Sequence, residues 1–296
     1  MSVNNERIFI VGGTGNIGTA LVRELLAKNA AVTLFTRSPD KVNALFSRNP
    51  LIRIVQGDLQ NLTVLKEAIK GHTRLFILVG GLDDGVPIKT AIATYGYEAG
   101  VRQVVDISSV YASASTRGTL LGDFSQREEE EILRIPNRGY FVALRPGRFM
   151  SNMFYVDPPR DDVITDTSEP DELCGWISPN DIGAVAAVVL TDDVEKHKDF
   201  VYELNGDAVT GNQRAEIFTR ILGRSITYKK VSAVEYYNTF ITKIYPNNHR
   251  MGYDLATKKV CFDKNFSTIT DGIEILLGRK PETVEEFLIK NKHRFK

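Results

Sequence analysis

Two cysteines, four histidines, one tryptophan and no surplus of either charge are the first features of this 296-residue chain. Cys174 and Cys261 are too few for a disulfide framework and are not spaced as metal ligands, so both read as packing residues in a reducing, cytoplasmic compartment. His72, His197, His249 and His293 are scattered, and none pairs with Cys, Asp or Glu in a metal or nucleophile pattern, so no metal is expected. Thirty-seven Lys and Arg balance thirty-seven Asp and Glu, which leaves no global field to attract nucleic acid or an anionic membrane surface. No run approaches the ~18 apolar residues of a membrane span, and the opening residues lack the apolar stretch of a secretory signal. Finally, none of the eleven tyrosines has a lysine four residues later. That pair, one helical turn apart, lets a tyrosine protonate a carbonyl, so alcohol–ketone chemistry of the usual kind is not expected.

What is present is a regular alternation. Ile8–Val11, Ala31–Thr36, Ile52–Gln56, Leu75–Val79, Val104–Ile107 and Phe141–Leu144 are short apolar runs rich in β-branched or aromatic residues, mostly separated by stretches of helical periodicity. The pattern predicts an α/β chain with a doubly wound parallel sheet. A helix through Ile182–Leu190 and a strand at Phe200–Leu204 suggest that the chain returns to this sheet late. The expected organisation is therefore interleaved: residues 1–150 plus about 178–206 form the sheet domain, and about 151–177 with 207–296 form a smaller, mainly helical domain. Arg214–Leu222, Ala233–Ile244 and Thr283–Lys292 are its clearest helices. The charge run Arg127–Glu131 (REEEE) reads as a solvated helix face.

The first strand runs directly into Gly12-Gly13-Thr14-Gly15-Asn16-Ile17-Gly18. After a strand, one glycine permits a tight turn, a second lets backbone approach a pyrophosphate, and a third lets the helix pack close; Gly12, Gly15 and Gly18 fit these roles. The helix start that follows offers free N–H groups and a positive dipole end to phosphate, the arrangement of a Rossmann-type dinucleotide site. At the end of the second strand an acid would bond the ribose of NAD, whereas the chain has Thr36-Arg37. Arg37 suits a 2′-phosphate, with Lys41 a helical turn on either adding a point charge or remaining an ordinary exposed lysine, so NADP(H) is the expected cofactor.

Taken with Gly57-Asp58-Leu59, Leu144-Arg145-Pro146-Gly147-Arg148-Phe149-Met150-Ser151-Asn152, Gly175-Trp176-Ile177-Ser178-Pro179-Asn180-Asp181-Ile182 and Leu277-Gly278-Arg279-Lys280-Pro281, these motifs make the chain resemble the NmrA-like family of atypical short-chain dehydrogenase/reductases, nearly end to end. Members include NADPH-dependent quinone reductases and proteins that only sense the nucleotide. The resemblance implies that Asp58 and Leu59 border the adenine, that Val79, Gly80 and Gly81 pass beside the ribose, and that Ser108 and Ser109 end a strand near the nicotinamide. Each residue has a plainer role open to it: Asp58 as a turn residue, Gly80 and Gly81 as loop glycines, the serines as partners of local backbone.

Tyr111, Phe149, Met153, Phe154 and Trp176 form an apolar, flat-sided set expected to line a substrate pocket, unless they are core. Asp157–Glu172, with seven acids against the single Arg160, reads as a flap or a solvated loop. The function expected from these features is reduction of a small quinone- or enone-like molecule by NADPH, with Tyr111 and Ser109 the hydroxyls nearest the chemistry. The alternative is a noncatalytic NADP(H) sensor acting through a regulatory protein partner.

Overall fold

The computed structural model describes residues 6–80, 85–112, 119–265, 267–269 and 271–295. From the amino end the elements are β1 (Ile8–Val11), α1 (Asn16–Ala27), β2 (Val32–Thr36), α2 (Pro39–Phe46), β3 (Ile52–Gln56), α3 (Thr63–Ala68), β4 (Arg74–Ile77), α4 (Gly85–Glu98), β5 (Gln103–Ile107), α5 (Leu120–Leu133) and β6 (Tyr140–Pro146). The chain continues through β7 (Arg148–Phe149), β8 (Val163–Asp166), β9 (Cys174–Ile177), α6 (Pro179–Thr191), α7 (Val194–His197) and β10 (Val201–Leu204). It ends with β11 (Asp207–Val209), α8 (Gly211–Leu222), β12 (Thr227–Lys230), α9 (Ala233–Tyr236), α10 (Thr242–Ile244), α11 (His249–Asn265), α12 (Gly272–Leu277) and α13 (Val284–Lys290). Two compact units result, one from residues 1–117, 122–146 and 182–203, the other from 118–121, 147–181 and 204–296.

The first unit is built on a seven-stranded sheet of order β10-β6-β5-β4-β1-β2-β3. Its β1, β2, β3, β4, β5 and β6 pair in parallel, with Ile10 of β1 facing Leu34 on one side and Phe76 on the other. The strand order reverses direction at β1 and β4, and the carboxyl ends of the strands open there into the crevice where doubly wound sheets take ligands. All four residues of β1 are buried, as expected of a strand covered on both faces. On one face Phe9, Val11, Leu75, Ile77, Val104 and Phe141 pack with Leu65 of α3, Ile92 and Ala93 of α4 and Ile132 of α5. Elsewhere in this unit Gly183 of α6 packs on Ala20 and Leu21 of α1, so closely that a Cβ there would come within 2.6 Å of the Leu21 nitrogen.

The second unit carries more strand than its sequence suggests. β9 lies between an antiparallel β11 and a parallel β7, and β8 pairs in parallel with β12. These strands hold only two to four residues each, too short to show a period of two in the sequence. The helix expected over Ala233–Ile244 is observed as α9 and α10 joined by a π-helical turn at Tyr237–Ile241. Met150, Met153, Trp176, Ile217, Phe218, Phe287 and Leu288 make the core of this unit.

The glycines after β1 differ in what they tolerate. Gly12 has φ +90 and a Cβ on it would overlap the Leu78 carbonyl oxygen, while a Cβ on Gly18 would overlap the Gly12 carbonyl oxygen. A Cβ on Gly15 would meet nothing closer than 3.8 Å. Gly18→Ala is therefore expected to cost about 1–3 kcal/mol of stability through overpacking, and Gly15→Ala to leave it nearly unchanged; chemical denaturation of the two variants checks the contrast.

Candidate functional site

Five neighbouring strands of the first unit end side by side, and the residues that follow them are the ones the sequence marks. The glycine loop follows β1, Arg37 follows β2, Asp58 and Leu59 come after β3, Val79 and Gly80 after β4, and Ser108 with Ser109 after β5. Gly81 lies outside the described residues. Gly15 is the N-cap of α1 in extended conformation with no side-chain cap, so the first-turn N–H groups of α1 have no capping side chain. Thr14 is half-buried and Asn16 exposed, whereas the Ile17 side chain is buried in the unit's core and offers a ligand only its backbone.

Arg37 and Lys41 are exposed, and among the described residues neither has an ion-pair partner. Thr36 Oγ1 accepts the Ser38 N–H at 3.1 Å, fixing the turn that presents Arg37. Asp58 is exposed and accepts the Gln60 N–H at 2.8 Å, so one of its oxygens serves the local turn. A Cβ on the preceding Gly57 would overlap the Phe35 ring. Leu59 and Val79 are half-buried against the sheet's core, and Gly80 is exposed with open space where a Cβ would lie.

The end of β5 stands over a buried charge network. Lys89 of α4 lies 3.0 Å from Asp106, 2.9 Å from Glu128 and 2.8 Å from the Ile107 carbonyl, and all three side chains are at most 3% exposed. Beside them Glu129 receives Arg145 at 2.5 and 2.8 Å and the Ser108 hydroxyl at 2.5 Å. Burial works against the Lys89 charge, but Asp106 and Glu128 outweigh it and hold the ammonium above its ordinary range. Burial raises Asp106, and it pushes Glu128 up to about 7 against the pull of Lys89. This corrects the reading of Arg127–Glu131 as a solvated face: Glu128 and Glu129 point inward, while Arg127, Glu130 and Glu131 reach solvent, the two glutamates pairing with Arg134 at 3.2 and 2.6 Å. The signal visible beforehand was a lone aspartate inside the apolar run Val104-Val105-Asp106-Ile107, together with a lone lysine in the apolar stretch before Thr90.

Ser109 is half-buried, and its Oγ accepts the Tyr111 N–H at 3.2 Å; Tyr111 sits in the short 3-10 turn Val110–Ala112. In the second unit the expected pocket residues are placed differently. Trp176 is 1% exposed and Met153 0% exposed, both inside the core, and Phe154 packs on the Phe287 and Phe295 rings at 5.5 and 5.3 Å. Met153 and Trp176 belong to the core cluster and Phe154 packs against it, the alternative the sequence left open for them. Phe149 is half-buried at the end of β7. The acidic segment is not a bare flap either. Asp157 and Asp166 are buried on Arg148 at 2.7 and 3.4 Å, Asp166 also reaches Arg214 at 3.3 Å, and Asp162 pairs with Arg224 at 2.7 Å. Arg148 and Arg214 stack on the Trp176 ring, with centroid distances of 4.4 and 5.3 Å.

Among the described residues no group of three or more His, Cys, Asp or Glu could hold a metal ion, and no helix is long and apolar enough to cross a membrane.

The sequence pattern of the NmrA-like family matches residues 4–288. An NAD(P)H azoreductase of Xenophilus azovorans is 26% identical over 230 residues, covering 76% of this chain and 77% of that protein. A nitrogen metabolite regulation-like protein, bik4, of Gibberella fujikuroi is 24% identical over 98% of each chain. The crystal structure of the NADPH-dependent quinone oxidoreductase QOR2 of Escherichia coli, complexed with NADPH, has the same fold, with a TM-score of 0.80 over 97% of this chain and 99% of that one at 21% identity.

The inward and outward faces of α5 make a direct test. Glu129→Ala strands the Arg145 guanidinium and the Ser108 hydroxyl, and is expected to cost about 3 kcal/mol, as for other broken buried pairs. Glu131→Ala on the solvent face is expected to stay within about 0.5 kcal/mol. Urea titration of the two variants would show equal midpoints if the whole run were solvated.

Proposed function

The chain belongs to the NmrA-like family, and on that premise we propose that it binds NADP(H) and reduces small conjugated acceptors, quinone- or enone-like. The observation that carries the reading is Gly15. Neither its backbone, at φ −83, nor its surroundings, with nothing within 3.8 Å of an added Cβ, requires glycine. The missing side chain serves something outside the fold, and a pyrophosphate approaching the uncapped start of α1 is the group that arrangement suits. Arg37 and Lys41, exposed and without acidic partners among the described residues, supply the charge for a 2′-phosphate.

NADPH, when bound, supplies a hydride. The chain's own hydroxyls set what accompanies it. Ser108 donates its one hydrogen to Glu129, so towards a ligand its oxygen can only accept. Ser109 accepts a backbone N–H and keeps its hydrogen to donate. No tyrosine has a lysine four residues later to help it protonate a carbonyl. Acceptors whose reduction yields a stabilised anion suit such a site, because water or the Ser109 or Tyr111 hydroxyl suffices to deliver the proton. This support comes from what the residues offer and from the azoreductase and quinone reductase relatives.

A noncatalytic NADP(H) sensor is the second reading, favoured by the occupied Ser108 hydroxyl and by the regulation-like relative. NADPH oxidation across a panel of quinones and enones separates the two: steady turnover, with simple secondary alcohols inert towards NADP+, is expected. Tyr111→Phe should lower kcat/KM by at most ~10²-fold. NADPH that binds yet is never consumed would leave the sensor reading standing.

For the cofactor itself, NADPH is expected to bind ten- to a hundredfold more tightly than NADH, from about 1.5–3 kcal/mol of charged hydrogen bonding. Arg37→Ala should erase most of that preference in titration calorimetry. Equal affinities for the two reduced dinucleotides in the unaltered protein would remove the basis for the NADP(H) assignment.

A further inference from the structure

The charges sealed beneath β5 do not balance. Among the described residues, the groups that face Glu128 are Lys89 from α4, Asp106 from β5 and its own neighbour Glu129, with Arg145 of β6 reaching the cluster through Glu129. Three acids therefore meet two cations, and apart from the partly exposed Arg145 the cluster is closed to solvent, where an uncompensated ion costs several kcal/mol. A sealed cluster with one acid too many keeps a proton.

The contacts say which acid holds it. Glu129 receives the Arg145 Nε and the Ser108 hydroxyl on one oxygen and the Arg145 Nη2 on the other, a full set for a carboxylate. Asp106 has both oxygens beside the Lys89 ammonium, Oδ2 hydrogen-bonded at 3.2 Å and Oδ1, though without a hydrogen bond of its own, ion-paired at 3.0 Å. Glu128 has only one oxygen on Lys89; the other, Oε1, is shut off from solvent without a hydrogen-bond partner. It lies against the first residue of α4, where a Cβ on Gly85 would come within 3.2 Å of it. A bare carboxylate oxygen in such a place is far more costly than a protonated one.

We propose that Glu128 carries a proton in mildly acidic solution, and that its loss as pH rises through neutrality sets a negative charge beneath the end of β5 that weakens binding of an anionic dinucleotide at the carboxyl edge of the sheet. Lys89 links the two places, since the same ammonium that touches Glu128 also holds the carbonyl of Ile107, the residue before Ser108. Burial raises this carboxyl above its ordinary range, so the folded chain holds the proton more tightly than the unfolded one. The stability it contributes is full below the ordinary carboxyl range and is lost as pH rises through about 7.

The test has two arms. The infrared difference between the unaltered protein and Glu128→Gln should show the carbonyl band of a neutral carboxylic acid at pH 6, lost by pH 8.5. Absence of that band at pH 6, or its persistence in Glu128→Gln with loss in Asp106→Asn, would overturn the assignment to Glu128. This arm needs no cofactor. The second arm rests on the NADP(H) reading: from pH 6 to pH 8.5 the NADPH Kd should weaken about three- to tenfold more in the unaltered protein than in Glu128→Gln, as expected for one added charge at screened distance. Taking the ratio cancels the titration of the cofactor's own phosphate. Identical pH profiles would sink the coupling, whereas a carboxylic acid band in a protein that binds no NADPH at either pH would uphold the proton and bring down the cofactor reading with the coupling built on it.

Discussion

Close approach of backbone to backbone at the β1–α1 turn is the constraint on which the rest of the first unit depends. Gly18 lets α1 start against the Gly12 carbonyl, and Gly12 lets the turn lie on Leu78, just beyond β4. With both contacts made, the start of α1 comes to the point where the order of strands reverses, and its uncapped N–H groups face the crevice. Gly15 is free of either demand and leaves room that neither contact requires.

The same parallel sheet imposes a second condition. Helices on both faces leave its strands no wet side, so any charge within them needs a partner from a covering helix. Asp106 finds Lys89 in this way, and Arg145 at the end of β6 finds Glu129. Two consecutive residues of α5 thus serve two different strands, which ties α4, β5, α5 and β6 together by charge beneath the strand end that carries Ser108. In the second unit the equivalent task falls to arginines, with Arg148 and Arg214 meeting Asp157 and Asp166 around Trp176.

Strands buried on both faces are legible because they are nearly pure apolar runs, and the β1–α1 turn is legible because glycine is the one residue its geometry admits at Gly12 and Gly18. β1 is observed over the same residues the run marks, and β4 ends two residues before its run does. Burial of a charged residue is not legible in that way. Glu128 and Glu131 are the same residue type within one run, and what separates them is Lys89, a partner 39 residues from Glu128 that only the fold brings near. Met153 and Trp176, for which the sequence left pocket and core both open, lie in the core for a related reason: a large apolar side chain after a strand suits a ligand or a core equally well, and the short strands that enclose them leave no periodic trace. Asp157 and Asp166 share that history, since acids counted along a loop carry no mark of the arginines they will meet.

The hydrogen on Ser108 is where packing reaches chemistry. A serine at the end of β5 would ordinarily be free to turn its hydrogen towards a substrate oxygen, but Glu129, fixed by Arg145, is the better acceptor and takes it. What remains at the crevice is an oxygen that accepts, suited to an amide N–H2 and unsuited to polarising a carbonyl. With no lysine four residues after any tyrosine, the polar groups beneath this strand end would, on the proposed reading, hold a ligand more readily than drive a proton onto it. On the reductase reading proposed above, such a site suits acceptors that take hydride and can wait for their proton, and the buried salt bridge behind the serine would set that limit as much as any residue that touches the substrate.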